Sequence, residues 1–112
     1  INVVDDQFRS PTLAVDLAKG CVLIADKQAK GVYHLSGKDL MSILELVYRV
    51  ADFFKLNKSS ISAIKSITLN QTAKRPPKTG FVLGKAIREL GYDPATFEEG
   101  LAIVSQELEL VK

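Results

Sequence analysis

Residues 1–12 read Ile1-Asn2-Val3-Val4-Asp5-Asp6-Gln7-Phe8-Arg9-Ser10-Pro11-Thr12, and three structural signals follow one another in them. Ile1 to Val4 is apolar and partly β-branched, which predicts a short strand. Asp5-Asp6 is a turn-forming pair. Ser10-Pro11-Thr12 is a helix-start signal: a serine can cap orphan amides, and proline suits the first helical position, where no amide is needed. The helix so begun should run to about Lys27 and bury Leu13, Leu17, Cys21 and Ile24, which recur at helical spacing. Gly31 ends the connection, and Val32-Tyr33-His34-Leu35-Ser36 reads as a second strand stopped by Gly37.

Leu40 to Phe54 carries the clearest helical pattern. Ile43, Leu44, Val47, Val50, Ala51 and Phe54 draw one apolar face, with Arg49, Asp52 and Lys55 mostly off it. Asn57 to Ser60 is a loop, and a short strand is expected near Ala63 to Ile67. Asn70 to Thr79 is a polar, basic loop centred on Pro76-Pro77. A short helix from about Leu83 to Leu90 ends at Gly91, a common left-handed terminator. The last helix sets Phe97, Leu101, Val104, Leu108 and Val111 on one stripe. The loose alternation predicts a mixed α/β or α+β domain over residues 1–112, about four helices with three short strands. So few strands make a poor self-contained sheet. With an abrupt start at Ile1, this leads to the expectation of a piece cut from a longer protein. Strands deprived of their neighbours would invite self-association, and a homodimer is an open option.

Composition narrows the function. The chain has 112 residues, 46% hydrophobic and 25% charged, which is ordinary for a globular domain. Fifteen Lys and Arg against thirteen Asp and Glu leave a net charge of +2, too small for a sequence-blind nucleic-acid binder. Cys21 is the single cysteine and His34 the single histidine, so zinc would find few ligands. No stretch approaches the roughly 18 apolar residues of a membrane span, and no signal peptide is visible; a reducing, cytoplasmic setting is expected.

Several motifs fail on inspection. Gly80-Phe81-Val82-Leu83-Gly84-Lys85 resembles a phosphate loop, but three residues separate the glycines where four are required, and Ala86 stands where the magnesium-binding hydroxyl belongs. No G-x-G-x-x-G occurs. A tyrosine followed four positions later by lysine is also absent: Tyr33 is followed by Gly37, Tyr48 by Asp52 and Tyr92 by Thr96. His34 reads as a hydrogen-bonded structural residue, Cys21 as a buried, inert thiol, and Asp5-Asp6 as turn or salt-bridge residues rather than a catalytic pair.

Two basic places stand above this background. Arg9 precedes a helix start, where unpaired amides and the helix dipole favour an anion, and its planar fork can hold a phosphate with two hydrogen bonds. Lys74-Arg75-Pro76-Pro77-Lys78 puts three cations within five residues on a stretch stiffened by proline. Adjacent, the two loops would clamp a diphosphate. The alternative pairs Arg9 with Asp5 or Asp6 and leaves the Lys-Arg run solvated.

Three segments together resemble the dTDP-4-dehydrorhamnose reductases. Val3 to Thr12 followed by Asp16-Leu17-Ala18 is similar to that family's V-x-D-Q-x-G-x-P-T…D-L-A. Gly31-Val32-Tyr33-His34-Leu35-Ser36-Gly37 resembles its G-x-Y-H-L-S-G, and Thr72-Ala73-Lys74-Arg75-Pro76-Pro77 with Lys85 and Leu90-Gly91 resembles its closing T-A-x-R-P…K…L-G. The resemblance implies the C-terminal, sugar-nucleotide-binding part of an extended short-chain dehydrogenase/reductase. The dinucleotide-binding Rossmann domain and the Tyr/Lys chemistry would precede it. NADPH or NADH would serve the parent protein and not bind here, and residues 1–112 alone would not turn over. The implied reaction reduces the C4 ketone of dTDP-4-dehydro-6-deoxy-L-mannose to give dTDP-L-rhamnose. The implied partners are a dTDP-hexose and the chain's own Rossmann domain, with neither nucleic acid nor membrane. Arg9 departs from the pattern, since the reductases usually carry glycine there. Other extended members, epimerases among them, have an arginine seven residues before the D-L-A aspartate, here Asp16. That arginine and the one matching Arg75 contact the substrate diphosphate. The resemblance therefore assigns Arg9 and Arg75 to the diphosphate, with Gln7, Thr12 and Lys74 assisting. It favours a nucleotide sugar more strongly than rhamnose in particular.

Overall fold

The structure of the protein, a computed structural model, describes residues 1–111, with side chains as far as Glu109. In chain order the elements are β1 (Asn2–Val4), β2 (Phe8–Arg9), α1 (Ala14–Asp26), β3 (Met41–Ser42), α2 (Ile43–Phe53), β4 (Ser62–Ile64), α3 (Gly84–Leu90) and α4 (Phe97–Val111). Single 3-10 turns cover Lys58–Ser60 and Ser66–Leu69. The fold is mixed α/β, as the pattern of elements predicts. The residues form two compact units, 1–9 with 40–79, and 10–39 with 80 onward.

In the first unit β1 runs parallel to β4, with Val3 opposite Ala63. Val3 and Val4 are buried, and α2 packs over β1. Helix α2 starts at Ile43 rather than Leu40, because the Ser42 hydroxyl accepts the Glu45 N–H at 3.0 Å and so sets the N-cap. Met41, just before it, is 1% exposed and lies in β3, antiparallel to β2. The short strand expected at Ala63–Ile67 is centred earlier, on Ser62–Ile64, and gives way to the 3-10 turn at Ser66.

The stretch from Ser66 to Pro77 stands on two feet. At the first, both carboxylate oxygens of Asp6 accept the Ser66 N–H, at 3.0 and 3.1 Å, and one also accepts the Ser66 hydroxyl at 3.0 Å. At the second, the Phe8 N–H donates to Pro77 O at 2.7 Å, and the Thr79 N–H donates to Phe8 O at 3.1 Å. Phe8 and Lys78 thus bridge in parallel beside β2.

The second unit packs α1 against α3. Leu83, Ala86, Leu90 and Tyr92 form its core, with Leu23, Ile24, Tyr33 and Leu35 against them. Helix α3 ends as expected at Gly91, whose φ of 70° is a left-handed conformation that glycine adopts without strain. Tyr92 then folds back, its N–H donating to Ala86 O at 3.3 Å and its hydroxyl to Ser36 O at 2.9 Å.

Three expectations for this unit are corrected. Helix α1 begins at Ala14, with Leu13 at the N-cap and no side-chain cap, so Ser10 and Pro11 lie outside it. Thr12 holds the preceding turn: its hydroxyl donates to Ser10 O and accepts the Gly37 N–H, each at 3.0 Å. Next, α1 turns Asp16, Gly20, Leu23 and Ile24 inward; Leu17 is 39% exposed and Cys21 is exposed, not buried. Apolar residues surround this helix, so spacing alone does not choose the inner face. Finally, residues 32–36 form no strand. Side chains bind that backbone instead, Lys85 Nζ on Val32 O at 2.8 Å and Tyr92 on Ser36 O. On α4, Val104 and Leu108 are 37% and 55% exposed. Val111, assigned to the same stripe, lies outside the described side chains.

Two measurements check this packing. A Cβ built on Gly37 would sit 2.0 Å from the Pro11 carbonyl oxygen, a backbone atom with little room to yield. Gly37→Ala should therefore destabilise the protein by about 3 kcal/mol in urea unfolding, the upper end for overpacking. A Cβ on Gly20 meets only the Leu35 methyl, at 2.5 Å, which can rotate away. With the helix propensity gained, Gly20→Ala should stay within about 1 kcal/mol of the parent. The Ser66 foot is pH-dependent. The Ser66 N–H and then its hydroxyl hold Asp6 below its ordinary 3.8, so ionised Asp6 favours the folded loop. That stabilisation is complete above the ordinary value and fades as pH falls through the lowered one. Protection of the Ser66 amide from exchange should persist down to roughly pH 4 and fall below it; Asp6→Asn should abolish this dependence.

Candidate functional site

Residues Asp6 to Arg9 connect the two feet of the loop, and a cavity of about 590 Å³ opens between them and the loop. Asp6, Gln7, Ser66, Asn70, Lys74 and Arg75 contribute to its walls. Asn70 turns the chain into the loop with φ 51° and ψ 42°, a left-handed conformation that asparagine tolerates better than most residues. The rest of the loop, residues 70–79, is exposed, which leaves Lys74 and Arg75 hydrated. Among the described residues neither has a carboxylate partner.

Gln7 differs from them. It is 7% exposed, and its carbonyl accepts the Ile43 N–H at 3.0 Å. Its side-chain amide has no hydrogen-bond partner among the described residues. Every described polar side-chain atom sealed from solvent does have one, so the Gln7 amide is not sealed.

Arg9 is spent on the second foot. Its guanidinium donates through Nη1 to Phe8 O at 2.7 Å and Pro77 O at 3.5 Å, and through Nη2 to Pro76 O at 2.9 Å. The pairing of Arg9 with Asp5 or Asp6 is not what the structure has: Asp5 bonds Lys65 at 2.9 Å and Asp6 bonds Ser66. Of the five residues singled out in the sequence, the cavity brings together Gln7, Lys74 and Arg75. Arg9 grips the carbonyl next to Arg75 without lining the cavity, and Thr12 belongs to the other unit. Asp6 and Asn70 are wall residues that the sequence did not single out. The acidic pair was visible, but nothing local pairs it with a serine sixty residues on.

In the second unit the amide donors at the start of α4 are already taken. Helix α4 starts behind a reciprocal cap, Thr96 N–H to Glu99 Oε1 at 3.1 Å and Glu99 N–H to Thr96 Oγ1 at 3.2 Å. The Thr96 N–H, and after it the Thr96 hydroxyl, hold the Glu99 carboxyl below its usual range. Asp39 accepts the Phe97 N–H at 2.8 Å, and Asp16 accepts the Ala95 N–H at 3.0 Å. Lys85 of the near-miss phosphate loop bonds Val32 O and lies 4.3 Å from the Tyr33 ring centre. His34 stacks on Phe81 at 4.7 Å, in place of the hydrogen-bonded role expected of it. No described helix is long and apolar enough to cross a membrane.

Comparison with known proteins agrees with this architecture. A family model described as the RmlD substrate binding domain matches residues 1–110. The spore coat polysaccharide biosynthesis protein SpsK of Bacillus subtilis is 30% identical over 109 residues, 96% of this chain and 37% of that protein. A dTDP-4-dehydrorhamnose reductase of Clostridium acetobutylicum superposes with a TM-score of 0.88 at 21% identity, over 97% of this chain and 39% of its own. That of Bacillus anthracis, solved in complex with NADP, gives 0.84 at 25% identity over 96% and 38%. The chain thus spans under two-fifths of these relatives. The family match covers both units and the loop between the two feet, and on that ground the chain belongs to the RmlD substrate-binding domain family.

Proposed function

We propose that this domain binds the diphosphate of a nucleotide sugar for an NAD(P)H-dependent reductase like the dTDP-4-dehydrorhamnose reductases. The parent enzyme would convert dTDP-4-dehydro-6-deoxy-L-mannose to dTDP-L-rhamnose for polysaccharide synthesis in the cytoplasm. The observation that carries this reading is the cavity lined by Lys74 and Arg75, neither of which has a carboxylate partner among the described residues. Two cations beside neutral amides suit a diphosphate that bears uncharged groups at its ends. Arg9 has a second part in this reading. It holds the Pro76 and Pro77 carbonyls together with Phe8 O, so Arg75 meets its ligand from a braced loop. Thr12 contributes by shaping the turn ahead of α1.

The sequence has no dinucleotide fingerprint and no Tyr-x-x-x-Lys. We therefore assign the nicotinamide and the catalytic groups to a Rossmann domain elsewhere in the parent protein. When bound there, the reduced nicotinamide supplies the hydride for the C4 ketone. The part of this domain is to hold the remote end of the substrate so that the ketone is presented in register. Residues 1–112 alone should bind without turning over. Arg9, where the reductases usually have glycine, favours a second reading as another nucleotide-sugar reductase or epimerase. A non-catalytic, reductase-like regulatory subunit would lack the upstream Tyr and Lys.

The test is Arg75→Ala in the intact protein, with nucleotide-sugar affinity measured by calorimetry. The loss should be about 1.5–3 kcal/mol, the range for hydrogen bonds to charged groups. Unchanged affinity would return Lys74 and Arg75 to a solvated loop.

A further inference from the structure

We infer that Gln7 reads the imide edge of a pyrimidine base, so that the cavity holds the nucleoside end of the ligand as well as its diphosphate. The inference rests on the nucleotide-sugar reading above and assigns it a direction. Gln7 is more than nine-tenths buried, yet its amide bonds to no described residue and is not sealed from solvent. Native structures rarely leave a buried amide in that state unless something else completes it. Gln7 lines the cavity between the two feet.

The chemistry of a carboxamide selects the group. It presents one donor and one acceptor side by side with no charge. Against a phosphate the acceptor is wasted, since its oxygen would face another oxygen carrying negative charge. Lys74 and Arg75 answer the phosphates better. A pyrimidine imide alternates acceptor, donor and acceptor along one edge, and a carboxamide pairs with two of the three at once.

Charge along the loop gives the orientation. The first foot is anionic, since Ser66 keeps Asp6 ionised, and an anion there repels phosphate. The second foot follows Lys74 and Arg75 and is cationic. Gln7 lies between Asp6 and Phe8, so it separates the anionic foot from the cationic one. A diphosphate drawn to Lys74 and Arg75 leaves Gln7 and Asp6 to a neutral neighbour. The reacting hexose must reach catalytic groups that these residues do not include. The nucleoside is the end that can stay here. A space of about 590 Å³ is within the usual range for small-molecule sites.

The experiment compares dTDP with inorganic pyrophosphate on the intact protein by calorimetry. Gln7→Leu, nearly isosteric, should bind dTDP about tenfold more weakly, with pyrophosphate affinity held within about twofold. Arg75→Ala should weaken both. The wild type should also bind the diphosphate of N3-methylthymidine about tenfold more weakly than dTDP, because methylation removes the imide N–H. In Gln7→Leu the same methylation should cost no more than about twofold. The methylated ligand needs no variant, so the inference stays testable if Gln7→Leu does not fold. Equal dTDP affinity in Gln7→Leu and wild type would overturn the inference, as would a loss confined to dTDP-hexose, which would put the amide on the sugar. A parallel loss of pyrophosphate would make Gln7 structural. If Arg75→Ala weakens dTDP while Gln7→Leu does not, the base assignment fails and the diphosphate reading stands. If the wild type binds neither dTDP nor pyrophosphate, both fail.

Discussion

Four consecutive residues, Asp6 to Arg9, hold both feet of one loop, and the candidate site depends on that anchorage. The exposed part of this loop, residues 70–77, has conformational entropy to lose, and no helix or ladder of its own offsets the loss. What fixes it is a carboxylate on one N–H and hydroxyl at the start, and a backbone bridge with a guanidinium at the end. The stretch on which both feet stand follows directly from β1, whose register with β4 is set by the buried Val3 and Val4. Packing in the first unit thus sets where Lys74 and Arg75 stand.

Prolines explain why the second foot needs an arginine. Pro76 and Pro77 have no N–H, so this part of the loop cannot donate to a sheet or close a turn through its own amides. Their carbonyls still need donors, and Arg9 and Phe8 supply them. Arg9 brings a fork wide enough to serve neighbouring carbonyls at once, which the single ammonium of lysine would not reproduce. A glycine in its place, the usual residue of the resembling reductases, would supply none of these bonds. Arg9 therefore departs from the family pattern together with a contact that the pattern alone does not reveal.

The sequence made some of this legible. Helix α2, helix α3 with its Gly91 terminator and the basic loop around Pro76-Pro77 were readable because each is written in adjacent residues: a repeat of three and four, a glycine, two prolines. Two-residue strands such as β2 and β3 leave no periodicity to detect, and residues 32–36 alternate like a strand although side chains take up their backbone groups. The inner face of α1 includes Gly20, which lies against Leu35, and Asp16, which accepts the Ala95 N–H; neither is a hydrophobic signal. At the site, Lys74 and Arg75 announced themselves by charge and Gln7 by its place in a motif. The foot made by Asp6 and Ser66 did not, because sixty residues of chain separate its partners.

The start of α4 and the loop around Lys74 and Arg75 treat negative charge in opposite ways. Around the start of α4, Asp16, Asp39 and Glu99 already occupy the amide donors of residues 95–97, so an incoming anion would find those donors taken and carboxylates beside them. Lys85 is likewise committed to Val32 and Tyr33. In the first unit the carboxylates nearest the cavity are taken by other donors. Asp5 and Asp6 are used by Lys65 and Ser66, the carbonyls at the second foot are used by Phe8 and Arg9, and of the residues that line the cavity Lys74, Arg75 and the Gln7 amide have no partner among the described residues. A buried amide and two cations that line one cavity, with no carboxylate against them among the described residues, suit a partner that carries the acceptors.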